Sequence, residues 1–194
     1  MIGEEFERLL ARARTGDESA FAVLWRDLNP ALLRYLSLAG ESADEVASET
    51  WLTVVKGLAD FRGDETAWRA WVFTTARRRA VDAGRQRTRS ARAQWRDRSS
   101  SWVTPVEPDC ADLVIESLSS AEAIQIVRRL PALQAEVVLL RVVVGLSVTE
   151  VAELVGRSPG AVRVAAHRGL QSLAKIMSEQ GVTRSDSRAL REVT

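Results

Sequence analysis

Between Ser147 and Leu170 the residues spell out two short helices and the turn that joins them, and this run constrains the fold more than any other part of the 194-residue chain. Ser147 and, three residues later, Glu150 form a capping box for a helix bearing Val148, Val151, Ala152 and Leu154. Gly156 can end that helix in a left-handed conformation. Ser158-Pro159 then reads as an N-cap followed by proline at the first helical position. The second helix is expected to turn Val162, Ala166 and Leu170 inward, leaving Arg163, Val164, His167 and Arg168 outside. With the small Ala152 where the helices approach, the pattern describes a helix-turn-helix.

In that motif the start of the second helix enters the major groove and flanking basic groups hold phosphates. Arg163 and Arg168 can each present a bidentate donor pair to guanine. A helical hairpin with a solvated basic face is the plain alternative.

Similar punctuation runs through the rest of the chain. Phe6, Leu9, Leu10 and Ala13 recur at helical spacing before Gly16, and Phe21, Leu24, Trp25 and Leu28 follow the N-cap residue Asp17. Pro30 is expected to kink or restart that helix, which continues through Leu32, Leu33 and Leu36 to Gly40. Ser42 with Glu45 predicts a capping box, opening a helix with Val46, Thr50, Trp51, Val54, Val55 and Leu58 on one face. Asp64 caps the next helix, through Trp68, Trp71 and Val72 into an arginine cluster, while Ser119 with Glu122 predicts another capping box before Pro131. A helix over 133–144 stops at Gly145. The fold class is all-α, in two small helical domains joined by a flexible linker.

Charge sharpens that division. The formal net charge is only +1, but residues 1–76 carry −5, 77–98 carry +7, 99–127 carry −5 and 128–177 carry +4. Two basic stretches are thus separated by an acidic spacer, in which Ser99-Ser100-Ser101, Pro105 and Pro108 interrupt any helical period. The expected organisation is one domain over 1–96, a linker over 97–118, a second domain over 119–177 and a disordered tail over 178–194.

Nine arginines between 77 and 98 repel one another unless an anion lies close. With Trp68, Trp71 and Trp95 they offer what a single-stranded nucleic acid needs, positive charge for its backbone and flat faces for its bases. Trp68 and Trp71, three apart with Val72 beside them, suit a helical core even better.

One cysteine, Cys110, and one histidine, His167, cannot build a four-ligand zinc site or a Cys/His catalytic pair, and the carboxylates sit at cap positions. No metal, no cofactor and no enzymatic activity are expected. The acidic start MIGEEFERLL lacks the basic, then apolar, pattern of a signal peptide, and no stretch approaches 18 apolar residues, so the expected location is the cytoplasm without membrane insertion. A conventional helix-turn-helix regulator with the N-terminal bundle as sensor explains residues 119–177 but leaves the arginines at 77–98 without a task. An interaction protein that imitates a DNA-binding factor would be expected to lose Arg163 and Arg168, which are present.

The run Asp44-Glu45-Val46-Ala47-Ser48-Glu49-Thr50-Trp51, with Lys56-Gly57-Leu58 and Asp60-Phe61-Arg62-Gly63, resembles region 2.2 of the extracytoplasmic-function (ECF) sigma factors of bacterial RNA polymerase, within the sigma-70 family. The segment from Trp68 to Arg77 with Ala80-Val81-Asp82 is similar to their regions 2.3 and 2.4. Leu130-Pro131, Glu136-Val137-Val138, Gly145-Leu146-Ser147, Glu150-Val151-Ala152 and His167-Arg168-Gly169-Leu170 resemble region 4.2.

The resemblance implies a factor that binds core RNA polymerase, recognises −35 and −10 promoter elements and promotes DNA melting. Glu45, Ser48, Glu49, Leu52 and Lys56 would face the β′ clamp helices, and the second domain would meet the β flap. The loop from Phe61 to Glu65, with Phe61, Arg62 and Asp64 as its contact residues, would capture a base flipped from the −10 element, with Trp68, Trp71, Arg77, Arg78, Arg79 and Arg85 holding the melted strand. Ser158, Arg163, Val164, His167 and Arg168 would read the −35 duplex. A cognate anti-sigma factor is a further implied partner. Three positions depart from the family pattern: Arg78 stands where Asn is frequent, Ser48 where Gln is frequent, and Val164-Ala165 where polar or basic groups are frequent.

Overall fold

The computed structural model describes residues 2–39, 42–97 and 117–179, and the chain divides into two units, Met1–Asp112 and Leu113–Thr194. Most of the expected linker and tail, Cys110 among them, lies outside the described residues, as does the side chain of Trp95.

The first unit is built from α1 (Phe6–Arg14), α2 (Glu18–Ala39), α3 (Ala43–Gly57) and α4 (Glu65–Asp97). Asp17 caps α2 through its Oδ1, which accepts from the Ala20 N–H at 3.1 Å and the Ser19 hydroxyl at 2.6 Å. The Ser19 bond, the Ala20 N–H and Arg12 together hold its carboxyl well below the usual range. α2 runs unbroken through Pro30, so the proline does not restart the helix. Beside it, Asn29 Oδ1 accepts from Trp51 Nε1 of α3 at 2.8 Å.

The expected capping box at Ser42 does not form. Ser42 does occupy the N-cap of α3, but its φ of −112° and ψ of 42° depart from the extended conformation that aims a cap hydroxyl at the helix, and it makes no cap bond. Val55 is 50% exposed, and Ala47 takes its place on the buried face. Trp68 stands at the centre of this core, its ring centroid 5.6–6.5 Å from those of Phe6, Trp51, Phe61 and Trp71. Tyr35 and Phe73 meet edge to face at 5.3 Å.

The second unit contains α5 (Ser117–Arg128), α6 (Ala132–Val138), a π-helical turn over Leu139–Val143, α7 (Val148–Val155) and α8 (Pro159–Glu179). α5 begins two residues before Ser119, which therefore lies inside the helix rather than at its cap. The single α-helix expected over 133–144 becomes α-helical and then π-helical, with the Val144 N–H reaching the Leu139 carbonyl at 3.2 Å. The extra residue per turn leaves Val142 and Val143 exposed while Leu140, Val144 and Leu146 all enter the core.

The punctuation of α7 and α8 follows the sequence closely. The Ser147 Oγ accepts from the Glu150 N–H at 3.2 Å, and Glu150 Oε2 accepts from the Ser147 N–H at 2.7 Å. Gly156 adopts φ 67° and ψ 43°, and the Ser158 Oγ accepts from the Ala161 N–H at 3.2 Å. Losing such a cap costs about 1 kcal/mol. Ser147→Ala should therefore speed amide exchange in the first turn of α7 roughly fivefold by hydrogen-exchange mass spectrometry; unchanged exchange would show that the box contributes nothing.

Candidate nucleic-acid interface

On α8 the buried residues are Val162, Ala165 and Gly169. The expected inward set was Val162, Ala166 and Leu170; Ala166 is half-buried and Leu170 is 49% exposed, because the helix turns its glycine toward α6 instead. An added Cβ at Gly169 would lie 2.6 Å from Val138 Cγ2. Arg163, Val164, His167 and Arg168 are all exposed, and at about 100° per residue they span an arc of about 140° opposite that contact. Ser158, also exposed, is committed through its hydroxyl to capping the helix on which they stand. The structure thus brings Arg163, Val164, His167 and Arg168 onto one exposed face, while Ser158 of the expected duplex-reading set stands at the helix start as its cap.

In the first unit, Glu45, Ser48, Glu49, Leu52 and Lys56 are exposed and fall within about 100° of arc on α3, opposite its buried Val46, Thr50 and Val54. Leu52 is 61% exposed, a bare apolar side chain among charges. The Ser48 hydroxyl donates to its own helix, at the Asp44 carbonyl, at 2.9 Å.

The loop between α3 and α4 is held at several points. Phe61 stacks on Trp71 with centroids 4.9 Å apart and planes 15° apart, and meets Trp68 edge to face. Arg62 Nη1 donates to the carbonyls of Ala59 and Phe61, both at 2.8 Å. Asp64 caps α4 through the Ala67 N–H at 2.8 Å. Gly63 fits because a Cβ there would come within 2.7 Å of the Ala67 Cβ.

Not every residue of the expected strand-holding set is available. Trp68 is 2% exposed, so its ring belongs to the core and has no free face for a base. Trp71 is half-buried, and one face is covered by Phe61. Arg78 and Arg85 are exposed on the side of α4 away from the core, Arg85 lying 3.9 Å from Asp82. Arg79 leans back on α3, donating to Thr53 Oγ1 at 2.8 Å and standing 3.9 Å from Glu49. Arg77 is half-buried.

The charged network that sequence reasoning left out is internal. Arg69, 6% exposed, joins Asp27 of α2 at 2.5 Å and Glu65 at 3.0 Å, and Glu65 accepts the N–H groups of Ile2 and Gly3 at 2.9 and 2.8 Å. Burial pushes the Glu65 carboxyl up, but the Gly3 and Ile2 N–H groups and Arg69 outweigh it and hold the group below its ordinary value of 4.5. A carboxyl depressed in the fold stabilises it fully above its unfolded value and loses that effect as pH falls through the folded one. In thermal melts below pH 4.5, the wild-type chain should lose stability more steeply than Glu65→Gln; parallel curves would contradict this.

Among the described residues no helix is long and apolar enough to cross a membrane, and no group of three or more His, Cys, Asp or Glu side chains could hold a metal ion.

Comparison with known proteins agrees with this layout. The Sigma-70 region 2 family matches residues 25–90, and the Sigma-70 region 4 family matches residues 120–173. The ECF RNA polymerase sigma factor SigD of Mycobacterium tuberculosis is 33% identical over 180 residues, covering 89% of this chain and 84% of its own length. BldN of Streptomyces coelicolor, also an ECF sigma factor, is 31% identical over 177 residues, covering 88% of this chain and 65% of its own.

Two solved structures share the fold. CnrH, in complex with the cytosolic domain of CnrY, superimposes with a TM-score of 0.57 at 21% identity, over 91% of this chain and 99% of that one. The sigma factor RpoE of Bartonella quintana, in complex with the anti-sigma factor NepR, gives 0.58 at 19% identity, over 81% and 96%. A region 2 bundle whose α3 carries an exposed stripe, a region 4 helix-turn-helix with a free basic face, and relatives of this similarity along most of the length lead to one conclusion: the chain belongs to the ECF sigma factors of bacterial RNA polymerase.

Proposed function

We propose that the two units divide promoter recognition between them once core RNA polymerase holds the chain. The exposed stripe of α3, from Glu45 to Lys56, engages the β′ clamp helices, and the region 4 unit engages the β flap. The Phe61–Asp64 loop receives a base unpaired from the −10 element, with Arg78 and Arg85 holding the phosphates of the melted strand. Arg163, Val164, His167 and Arg168 read the −35 element as duplex in the major groove, where two guanidinium groups suit guanine and Val164 a thymine methyl. The observation that carries the reading is the exposed Arg163, Val164, His167 and Arg168 face of α8, fixed by the Ser158 cap and backed by Val162, Ala165 and Gly169.

The chain's contribution is energetic rather than chemical. Flipping a base costs a few kcal/mol, and stacking at roughly 1–3 kcal/mol per base together with phosphate contacts offsets it. Tethering raises the effective concentration of the second unit once the first has bound. No covalent step falls to this chain, and its place of action is that of the polymerase, the cytoplasm. RpoE is seen with the anti-sigma factor NepR, which supports a cognate anti-sigma factor here as well.

Selection from a random DNA pool by core polymerase carrying this chain tests the reading. It should enrich two sequence blocks at a fixed spacing, and run-off transcription should fail when either block is scrambled. A chain that does not bind core polymerase would overturn it.

A further inference from the structure

The promoter reading leaves one buried charge without a task. Arg69 lies inside the first unit, paired with Asp27 at 2.5 Å and with Glu65 at 3.0 Å. It is too deeply buried to reach a nucleotide. Apolar residues of similar volume commonly serve stability as well as a buried ion pair does, so the pair alone is weak evidence of a stabilising role. What it does provide is a set geometry, and the element it sets is informative. Glu65 is the first residue of α4, immediately after the Phe61–Asp64 loop.

The aromatic stack of Phe61 on Trp71 holds the loop on one side. On the other, the Glu65 carboxylate binds the first turn of α4 to the backbone of Ile2 and Gly3 and, through Arg69, to α2. Three chain segments that are distant in sequence thus converge on the residue that ends the loop.

We propose that Glu65 and Arg69 are positioning residues for capture of the −10 base: with Asp27 and the backbone of Ile2 and Gly3, they hold the Phe61–Asp64 loop in the geometry that receives it. This rests on the reading of that loop as the −10 site. A binding site left loose by about 1 Å loses much of its effect, on the order of 10–100-fold. The N-terminal segment, far from the loop in sequence, is thereby part of the site's support.

The test uses the full chain assembled with core polymerase and a fluorescent DNA carrying an unpaired −10 segment, in matched and scrambled versions taken from the pool selection. Two variants are compared with the wild type: Glu65→Gln, and a chain lacking residues 1–3, in which the Arg69, Glu65 and Asp27 side chains all remain. Both should bind the matched probe about 10–100-fold more weakly and lose discrimination against the scrambled one, while affinities for core polymerase and for −35 duplex stay unchanged. Unchanged discrimination in both variants would overturn the proposal. So would a parallel loss of polymerase binding in both, which would mean that the network only holds the fold. If the wild-type assembly itself fails to distinguish matched from scrambled DNA, the reading of the loop falls, and the proposal with it.

Discussion

Gly169→Val is expected to open the region 4 unit. A Cβ at this position would lie 2.6 Å from Val138 Cγ2 and 3.4 Å from both the Cβ and the carbonyl oxygen of Gln134, and real Cβ atoms essentially never come closer than 3.0 Å to a neighbour. Val138 cannot swing away, because it is β-branched and 4% exposed. α8 must therefore move off α6, and the backing of the recognition surface moves with it. Overpacking of this kind costs about 1–3 kcal/mol, and valine, with two methyls beyond the Cβ, belongs at the upper end. For Gly169→Ala, a gain of up to about 1 kcal/mol in helix propensity offsets part of the cost. Hydrogen exchange across α6 and α8 should accelerate strongly in the valine variant and modestly in the alanine variant. Unchanged protection would show that the helices can separate without penalty.

That glycine also marks where the sequence was hardest to read. A strict spacing of four residues from Val162 points to Ala166 and Leu170 as the inward face of α8. Where two helices cross closely, the residue at the contact is the one with least side chain, so Gly169 enters and Leu170 is left at the surface. A similar gap explains the caps. Ser147 and Ser42 share the same residue spacing to a glutamate, but only Ser147, with φ −68° and ψ 163°, has the extended backbone that brings its hydroxyl to the helix. Residue type announces a cap, and the incoming chain decides whether it forms.

The second large effect is expected at the −35 element. Arg163→Ala and Arg168→Ala should each weaken binding of the polymerase-held chain to its selected −35 duplex by about 1–3 kcal/mol if the guanidinium forks a guanine, which is roughly 5–150-fold. The hold on core polymerase through the α3 stripe should not change, since that stripe belongs to the other unit. Lysine substitution separates the two ways in which an arginine can bind DNA. Lysine keeps the charge but not the planar fork, so a base-reading arginine replaced by lysine should lose specificity at one base pair. A phosphate-holding arginine replaced by alanine should instead weaken all sequences alike and lower the salt slope by about 1. Equal losses on matched and scrambled duplexes for both residues would remove them from the reading set.

Much of the candidate surface was legible because it is made of exposed residues at helical spacing. The α3 stripe and the α8 face both follow from periodicity once the buried side is known. The strand-holding set was harder, because tryptophan can serve a core or a stacking platform; spacing favours the core for both Trp68 and Trp71, and packing buries Trp68 fully while Trp71 is half-buried. The Arg69 network left no local pattern at all: Asp27, Glu65 and the backbone of Ile2 and Gly3 come from three separate stretches, and only the fold unites them.

The division of labour between the units is tested most directly by permanganate reactivity of unpaired thymines in the −10 element. The account predicts reactivity when this chain and core polymerase are both present on a promoter with intact −35 and −10 blocks. It predicts none with the chain alone, whose basic segments are set among acidic ones in a total charge of +1, and sharply reduced reactivity when the −35 block is scrambled. Melting by the chain without polymerase, or melting indifferent to the −35 sequence, would contradict it.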